Sequence, residues 1–237
     1  MKRALSASLP LSALAAGVAL TASLAMAKPA EAFTISFNPQ FGSTENTGAT
    51  ADLNFNFVQE ANNLVRLNLN LTNTTNGTVG LGATSATLVG FAFDVVSGVT
   101  FNSFSAGSSN FTKSWQNVAL QPFGTFDLGV STPRNSFAGG NANNGLTAGQ
   151  TTMVSFLLNS SLSAAQVESD FLAGFTNGTL GAVARFQQVN AGGGSDKVLG
   201  GVTSNSEAVP EPATILGAIA AGGALFGGKK LKDKAKA

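Results

Sequence analysis

Period-two alternation of apolar and polar residues is what most limits the fold of this chain. Leu53, Phe55 and Phe57 alternate with Asp52, Asn54 and Asn56, and Val65, Leu67, Leu69 and Leu71 alternate with Arg66, Asn68 and Asn70. Successive side chains of a strand point to opposite faces, so each run has one face for a core and one for water. Phe33, Ile35 and Phe37 begin the same rhythm, and Asn76-Gly77 supplies a turn signal after the second long run. Residues 88–96 are more continuously apolar, as an interior strand of a sandwich is, with Asp94 interrupting near the end. Ser97-Gly98 then turns into residues 99–104, and further strands are expected over 111–115, 125–130, 151–158, 180–189 and 197–202. One segment departs from the pattern. Ser163 is placed to cap a helix with Gln166 at the third position of a capping box, Val167 and Phe171 have i, i+4 spacing, and Gly174 ends it. Many short strands, one late helix and no βαβ rhythm predict an all-β antiparallel β-sandwich of jelly-roll type with one short helix late in the domain.

The two ends read differently from this body. Lys2 and Arg3 precede an apolar stretch over 9–24, followed by two small-x-small sites, Ala25-Met26-Ala27 and Ala30-Glu31-Ala32. That is the layout of a secretory signal helix, with cleavage expected after Ala32 and Ala27 as the alternative. At the other end Val209, Pro210, Glu211 and Pro212 lead into an apolar run over 213–228, and five lysines follow, Lys229, Lys230, Lys232, Lys234 and Lys236. The prolines fix φ and remove donors, so the segment around Glu211 is extended and a helix begins only after it. The apolar run is short for a spanning helix, whose lower bound is roughly 17 residues, but the lysines behind it resist crossing a membrane. The chain divides into 1–32, 33–208 and 209–237.

This terminal constellation of Val209, Pro210, Glu211, Pro212, the apolar helix, Lys229 and Lys230 resembles the PEP-CTERM sorting signal of exported bacterial proteins. The resemblance covers about the last 30 residues. It departs from the family in being Lys-rich where an Arg cluster is common, and in having Asp233 within the basic tail. It implies an exosortase-like sorting enzyme as partner, which cuts near Pro-Glu-Pro. It also implies membrane attachment through the C-terminal helix before processing, a destination at the bacterial cell surface or extracellular matrix, and association with exopolysaccharide or biofilm. The body loosely resembles cohesin-like and carbohydrate-binding-module sandwiches in architecture, without a motif.

Between Phe33 and Val209 there are five basic and nine acidic residues, a net charge of −4, although the whole chain is +1. Such a surface lacks the clustered Lys/Arg that phosphate backbones require, which excludes nucleic acid as a partner. The chain has no Cys, His or Tyr. A Ser-His-Asp or Cys-His engine and a His-ligated zinc site are therefore excluded. Only oxygen ligands remain for a metal, which points to Ca²⁺ if a cation binds.

Asp94 and Asp196 are the candidate Ca²⁺ ligands, and each reads equally as a carboxylate anchoring loop amides. Trp115, the single tryptophan, is the candidate sugar-stacking residue, with Phe111 and Phe123 near it in sequence; the competing reading is a core tryptophan. Glu168 and Asp170 are two residues apart on the expected helix and so face different ways, which is unsuited to a glycosidase pair. Residues 191–197 lack the GxxxxGK[ST] pattern and read as a plain glycine loop. The function expected is a non-catalytic, exported, surface-sorted β-sandwich that binds or structures polysaccharide. The alternatives are a Ca²⁺-dependent adhesion or interaction module and, third, a carboxylate-based glycan hydrolase.

Overall fold

The computed structural model describes residues 32–107, 110–137 and 141–203. The signal segment before Ala32, the alternative cleavage site at Ala27, Val209 to Pro212, the C-terminal apolar run and the basic tail lie outside the described residues. Among the described residues no helix is long and apolar enough to cross a membrane.

Antiparallel strands dominate. In chain order they are β1 (Phe33–Phe37), β2 (Ala51–Ala61), β3 (Leu64–Asn73), β4 (Thr87–Phe93), β5 (Thr100–Ala106), β6 (Lys113–Ala119), β7 (Thr125–Ser131), β8 (Thr151–Asn159), then helix α1 (Ala164–Asn177), then β9 (Ala182–Gln187) and β10 (Ser195–Thr203). The hydrogen-bonded order is β5-β8-β3-β2-β1-β10-β9-β4-β7-β6. Strand β10 belongs to both halves of this ladder. Its first part, Ser195 to Leu199, pairs with β9, and its last part, Gly200 to Thr203, pairs with β1. The change of partner falls at two glycines for a steric reason. A Cβ on Gly200 would lie 2.4 Å from Ile35 Cγ2, and one on Gly201 would lie 2.5 Å from the Phe41 ring.

The alternation seen in the sequence is the burial pattern of the strands. Leu53, Phe55 and Phe57 on β2, and Val65, Leu67, Leu69 and Leu71 on β3, are all buried. The two halves of the ladder face each other across this core, which makes the domain sandwich-like. Phe55 of β2 meets Phe93 of β4 edge-on at 5.5 Å, and Phe93 meets Phe156 of β8 at 5.7 Å. Edge-to-face rings at this spacing add roughly 0.5–1.5 kcal/mol per pair beyond their buried area.

Helix α1 packs on β2 and β10 through Val167, Phe171 and Phe175, with Phe171 5.1 Å from Phe57 and Phe175 5.5 Å from Phe55. Ser163 caps it as expected, accepting from the Gln166 N–H at 3.3 Å. The reciprocal half of the capping box is not made, because the Gln166 amide donates forward to Asp170 at 2.8 Å. Gln59 from β2 instead accepts from the Ala164 N–H at 2.8 Å. The helix also runs a turn beyond Gly174 and ends at Gly178, whose φ of +77° is the left-handed cap. Gly174 is an interior position that must lack a side chain, since a Cβ there would be 2.6 Å from Leu180. A second shift concerns β6, expected over 111–115 but formed by Lys113–Ala119. Phe111 precedes the strand and is fully buried in the main core.

Candidate functional site

Asp196, on the core-facing side of β10, is 2 % exposed. Its carboxylate is surrounded by the loop between β1 and β2. Oδ1 accepts from the Ser43 hydroxyl (2.7 Å), the Thr44 N–H (3.1 Å), the Thr44 hydroxyl (3.0 Å) and the Glu45 N–H (3.2 Å). Oδ2 accepts from the Ser43 hydroxyl (2.7 Å), the Thr47 N–H (3.0 Å) and the Thr47 hydroxyl (2.7 Å). Burial pushes this carboxyl up, but the Ser43, Thr47 and Glu45 donors outweigh it and hold it below the usual aspartate value. Six donor groups already use the oxygens that a cation would need, so the arrangement is that of a loop anchor.

Asp94, just past the end of β4, is half-buried. Its Oδ2 accepts from the Gly181 N–H at 2.8 Å. Burial raises its pKa; the Gly181 bond opposes the rise, and the nearby Asp127 carboxylate adds to it. Asp127 on β7 in turn accepts from the Val95 N–H at 2.9 Å. Asp94 therefore also ties backbone together. Asp94 and Asp196 are not brought together, and the described residues contain no group of three or more acidic side chains that could hold a metal.

Trp115 lies on β6, half-buried, with its indole N–H donating to the Ser131 hydroxyl of β7 at 2.8 Å. It belongs to a second apolar cluster with Ala92, Val118, Phe126, Phe137 and Val183, and Phe123 packs there too. Phe111 is in the main core, so the three-aromatic platform expected from sequence is reduced to Trp115 and Phe123. The register explains this second cluster. Trp115 faces Gly129, Gly129 faces Ala92, Ala92 faces Val183, and Val183 faces Leu199, across β6, β7, β4, β9 and β10. Residues opposite one another in an antiparallel sheet share a face, so this is an apolar row on the outer side of one half of the sandwich.

The adjacent row on the same face is different in kind. Lys113 faces Ser131, Ser131 faces Gly90, Gly90 faces Arg185, and Arg185 faces Lys197. Two residues separate the rows along each strand, about 7 Å. The loop after β7 folds back over the middle of the face. Phe137 fills the space left by two glycines, since a Cβ on Gly129 would be 2.8 Å from its ring and one on Gly90 3.2 Å. The same loop carries the exposed Arg134. Burial lowers the pKa of Arg185, and the charge of Arg134 beside it lowers it further. Arg185 Nη1 is buried and has no hydrogen-bond partner among the described residues. Sequence reasoning missed this row. Arg185 and Lys197 lie six residues either side of Ala191, and pairing the two expected strands as a hairpin about that residue puts them opposite each other; nothing in the sequence brings Lys113 or Arg134 to them.

A groove of about 530 Å³ runs between Phe41, the C-terminal end of α1 and the bare backbone of Gly200 and Gly201, and among the described residues no charged side chain lines it. No protein-family model matches the chain, and no curated protein matches it. Among solved structures, a chain described under "pH-induced modulation of Streptococcus parasanguinis adhesion by Fap1 fimbriae" is similar over 76 % of this chain and 99 % of its own length, with 10 % identity and a TM-score of 0.33. At those values the likeness is coarse.

Proposed function

We propose that this protein is an exported, surface-sorted, non-catalytic β-sandwich of jelly-roll type that binds or structures polysaccharide in the matrix outside a bacterial cell. The observation that carries the reading is the outer face bearing Trp115. Its half-buried indole is fixed by the bond to Ser131, with the partly exposed Phe123 packed at the same buried cluster and Lys113 two residues away on the same strand, a mix of apolar ring and hydrogen-bonding groups that suits a sugar ring. The two ends of the domain support the sorting part. Thr34 pairs with Thr203 on neighbouring strands, so the described domain begins and ends at one place, and the sorting part rests on the residues of the second segment, Val209, Pro210, Glu211 and Pro212. An exosortase-like enzyme is the partner for that second segment, and the membrane is its site of action.

Two experiments test this reading. Deleting residues 210–237 and fractionating the culture must release the protein from the cell surface; unchanged surface retention rejects the sorting claim. A glycan array probed with the exported protein must give polysaccharide hits that Trp115→Ala removes, and an array without hits rejects the binding claim.

A further inference from the structure

We infer that the outer face formed by β6, β7, β4, β9 and β10 binds a polysaccharide carrying carboxylate groups, through Lys113, Arg134, Arg185 and Lys197. This rests on the polysaccharide reading above and adds to it the ligand's charge and the residues that meet it.

The argument begins from where the few basic residues are. The domain has five. Arg66, on β3 in the other half, is ion-paired with Glu60. The remaining four all belong to this half, and among the described residues none of them has a carboxylate partner. Three stand in a single cross-strand row, and the fourth is on the loop that covers the middle of it. The row crosses four strand spacings, about 19 Å. A protein of net negative charge that leaves four cations without a carboxylate partner on one face, Lys197 donating only to the Gln121 carbonyl, presents a site complementary to an anion. Arg185 is the centre of the site. Its guanidinium is partly removed from water beside a second cation, and its planar fork is suited to a carboxylate held by two parallel bonds.

The neighbouring rows define the kind of anion. One strand-pair step away is the apolar row with Trp115, Val183 and Leu199, and a further step brings the carboxylates of Asp94 and Asp127. A densely and uniformly charged polymer meets repulsion from those acids. A chain with one carboxylate per sugar fits: its charges meet the basic residues, and the partly exposed rings of Trp115 and Phe123 are the apolar surface left for its sugar faces, since Ala92 and Val183 are fully buried. Such a chain runs across the strands.

Trp115 is the only tryptophan, so its fluorescence reports on this face directly. The full chain is titrated with polygalacturonate, with dextran and with dextran sulfate. The salt is 0.1 M or 1 M, between which the screening length falls from about 10 Å to about 3 Å. The expected result is saturable binding of polygalacturonate that weakens at least tenfold at the higher salt, with dextran and dextran sulfate much weaker. Arg185→Gln and the exposed double variant Lys113→Gln/Arg134→Gln each lower the affinity about tenfold, while Arg66→Gln leaves it unchanged. The double variant keeps the test valid if melting shows that Arg185→Gln has lost its fold. Dextran binding that ignores salt and both variants overturns the inference and leaves the polysaccharide reading intact. Dextran sulfate binding as tightly as polygalacturonate overturns the carboxylate assignment. Binding of none of the three removes both readings.

Discussion

Replacing Asp196 with Asn keeps the size of the side chain and removes its charge. The carboxylate accepts from six donor groups, three backbone N–H and three hydroxyls. An amide offers one accepting oxygen and one NH₂ group. If the oxygen takes the Oδ1 position, the NH₂ group faces the Thr47 N–H, a donor in a fully buried residue. If it takes the Oδ2 position, the NH₂ faces the N–H groups of both Thr44 and Glu45. The first orientation is the less costly, and the single orphaned buried donor in it costs about 1–3 kcal/mol. The five other donors lose an ionised acceptor, and hydrogen bonds to charged groups are roughly twice as strong as neutral ones. Together these give a loss of about 3 kcal/mol, near the upper end for one substitution. With a urea slope of about 2 kcal/mol per molar, the unfolding midpoint falls by about 1.5 M at pH 7. The pH dependence checks the cause. The folded-state pKa of Asp196 is depressed, so its contribution is fully present above the unfolded value of about 3.9 and is lost as pH falls through the lower folded value. The gap between the parent and Asp196→Asn is therefore constant from neutral pH to about pH 5 and narrows below about pH 4. A gap under about 1 kcal/mol at pH 7, or one that stays the same down to about pH 2, refutes the anchor reading.

Gly200→Ala puts a methyl group 2.4 Å from Ile35 Cγ2 at the point where β10 changes partner, and is expected to cost about 1–3 kcal/mol by overpacking; an unchanged melting temperature contradicts the close packing there. Ser163→Ala removes the oxygen that accepts from the Gln166 N–H and is expected to destabilise by about 1 kcal/mol in urea unfolding, with no loss meaning that the Gln59 bond to Ala164 suffices as a cap. Adding Ca²⁺ or EDTA is expected to leave the melting temperature unchanged, because Asp196 is already saturated by donors and Asp94 is bound to Gly181; a rise with Ca²⁺ shows a site that these two residues do not explain.

The core was legible wherever alternation was strong, as at Phe55 and Leu69, because the side-chain period of a strand appears directly in the residue order. For the edge strand β6 the sequence pattern points too early, to 111–115 instead of Lys113–Ala119. Phe111 looks like a strand residue but fills the core from a loop, while the strand itself is mostly exposed and carries little pattern. The helix runs past Gly174 to a left-handed cap at Gly178, and Gly174 is small for packing against Leu180, a reason that local sequence does not display. In the sequence Asp196 is simply an acid near glycines. The Ser43, Thr44 and Thr47 groups that saturate it are about 150 residues upstream, and nothing local links them. The basic row was hidden for the same reason, since the register joining Lys113, Arg185 and Lys197 is a property of the assembled sheet.

Strand β10 is the last strand among the described residues and also the one that joins β1 to β9 by hydrogen bonds. During synthesis, β1 waits for its second neighbour until more than a hundred residues have followed it. Until residue 203 has emerged, the two halves are separate partial sheets, each with an unsatisfied edge, and such edges favour pairing with other chains. A truncation that stops short of β10 therefore yields two sticky fragments of a sheet instead of a slightly smaller domain.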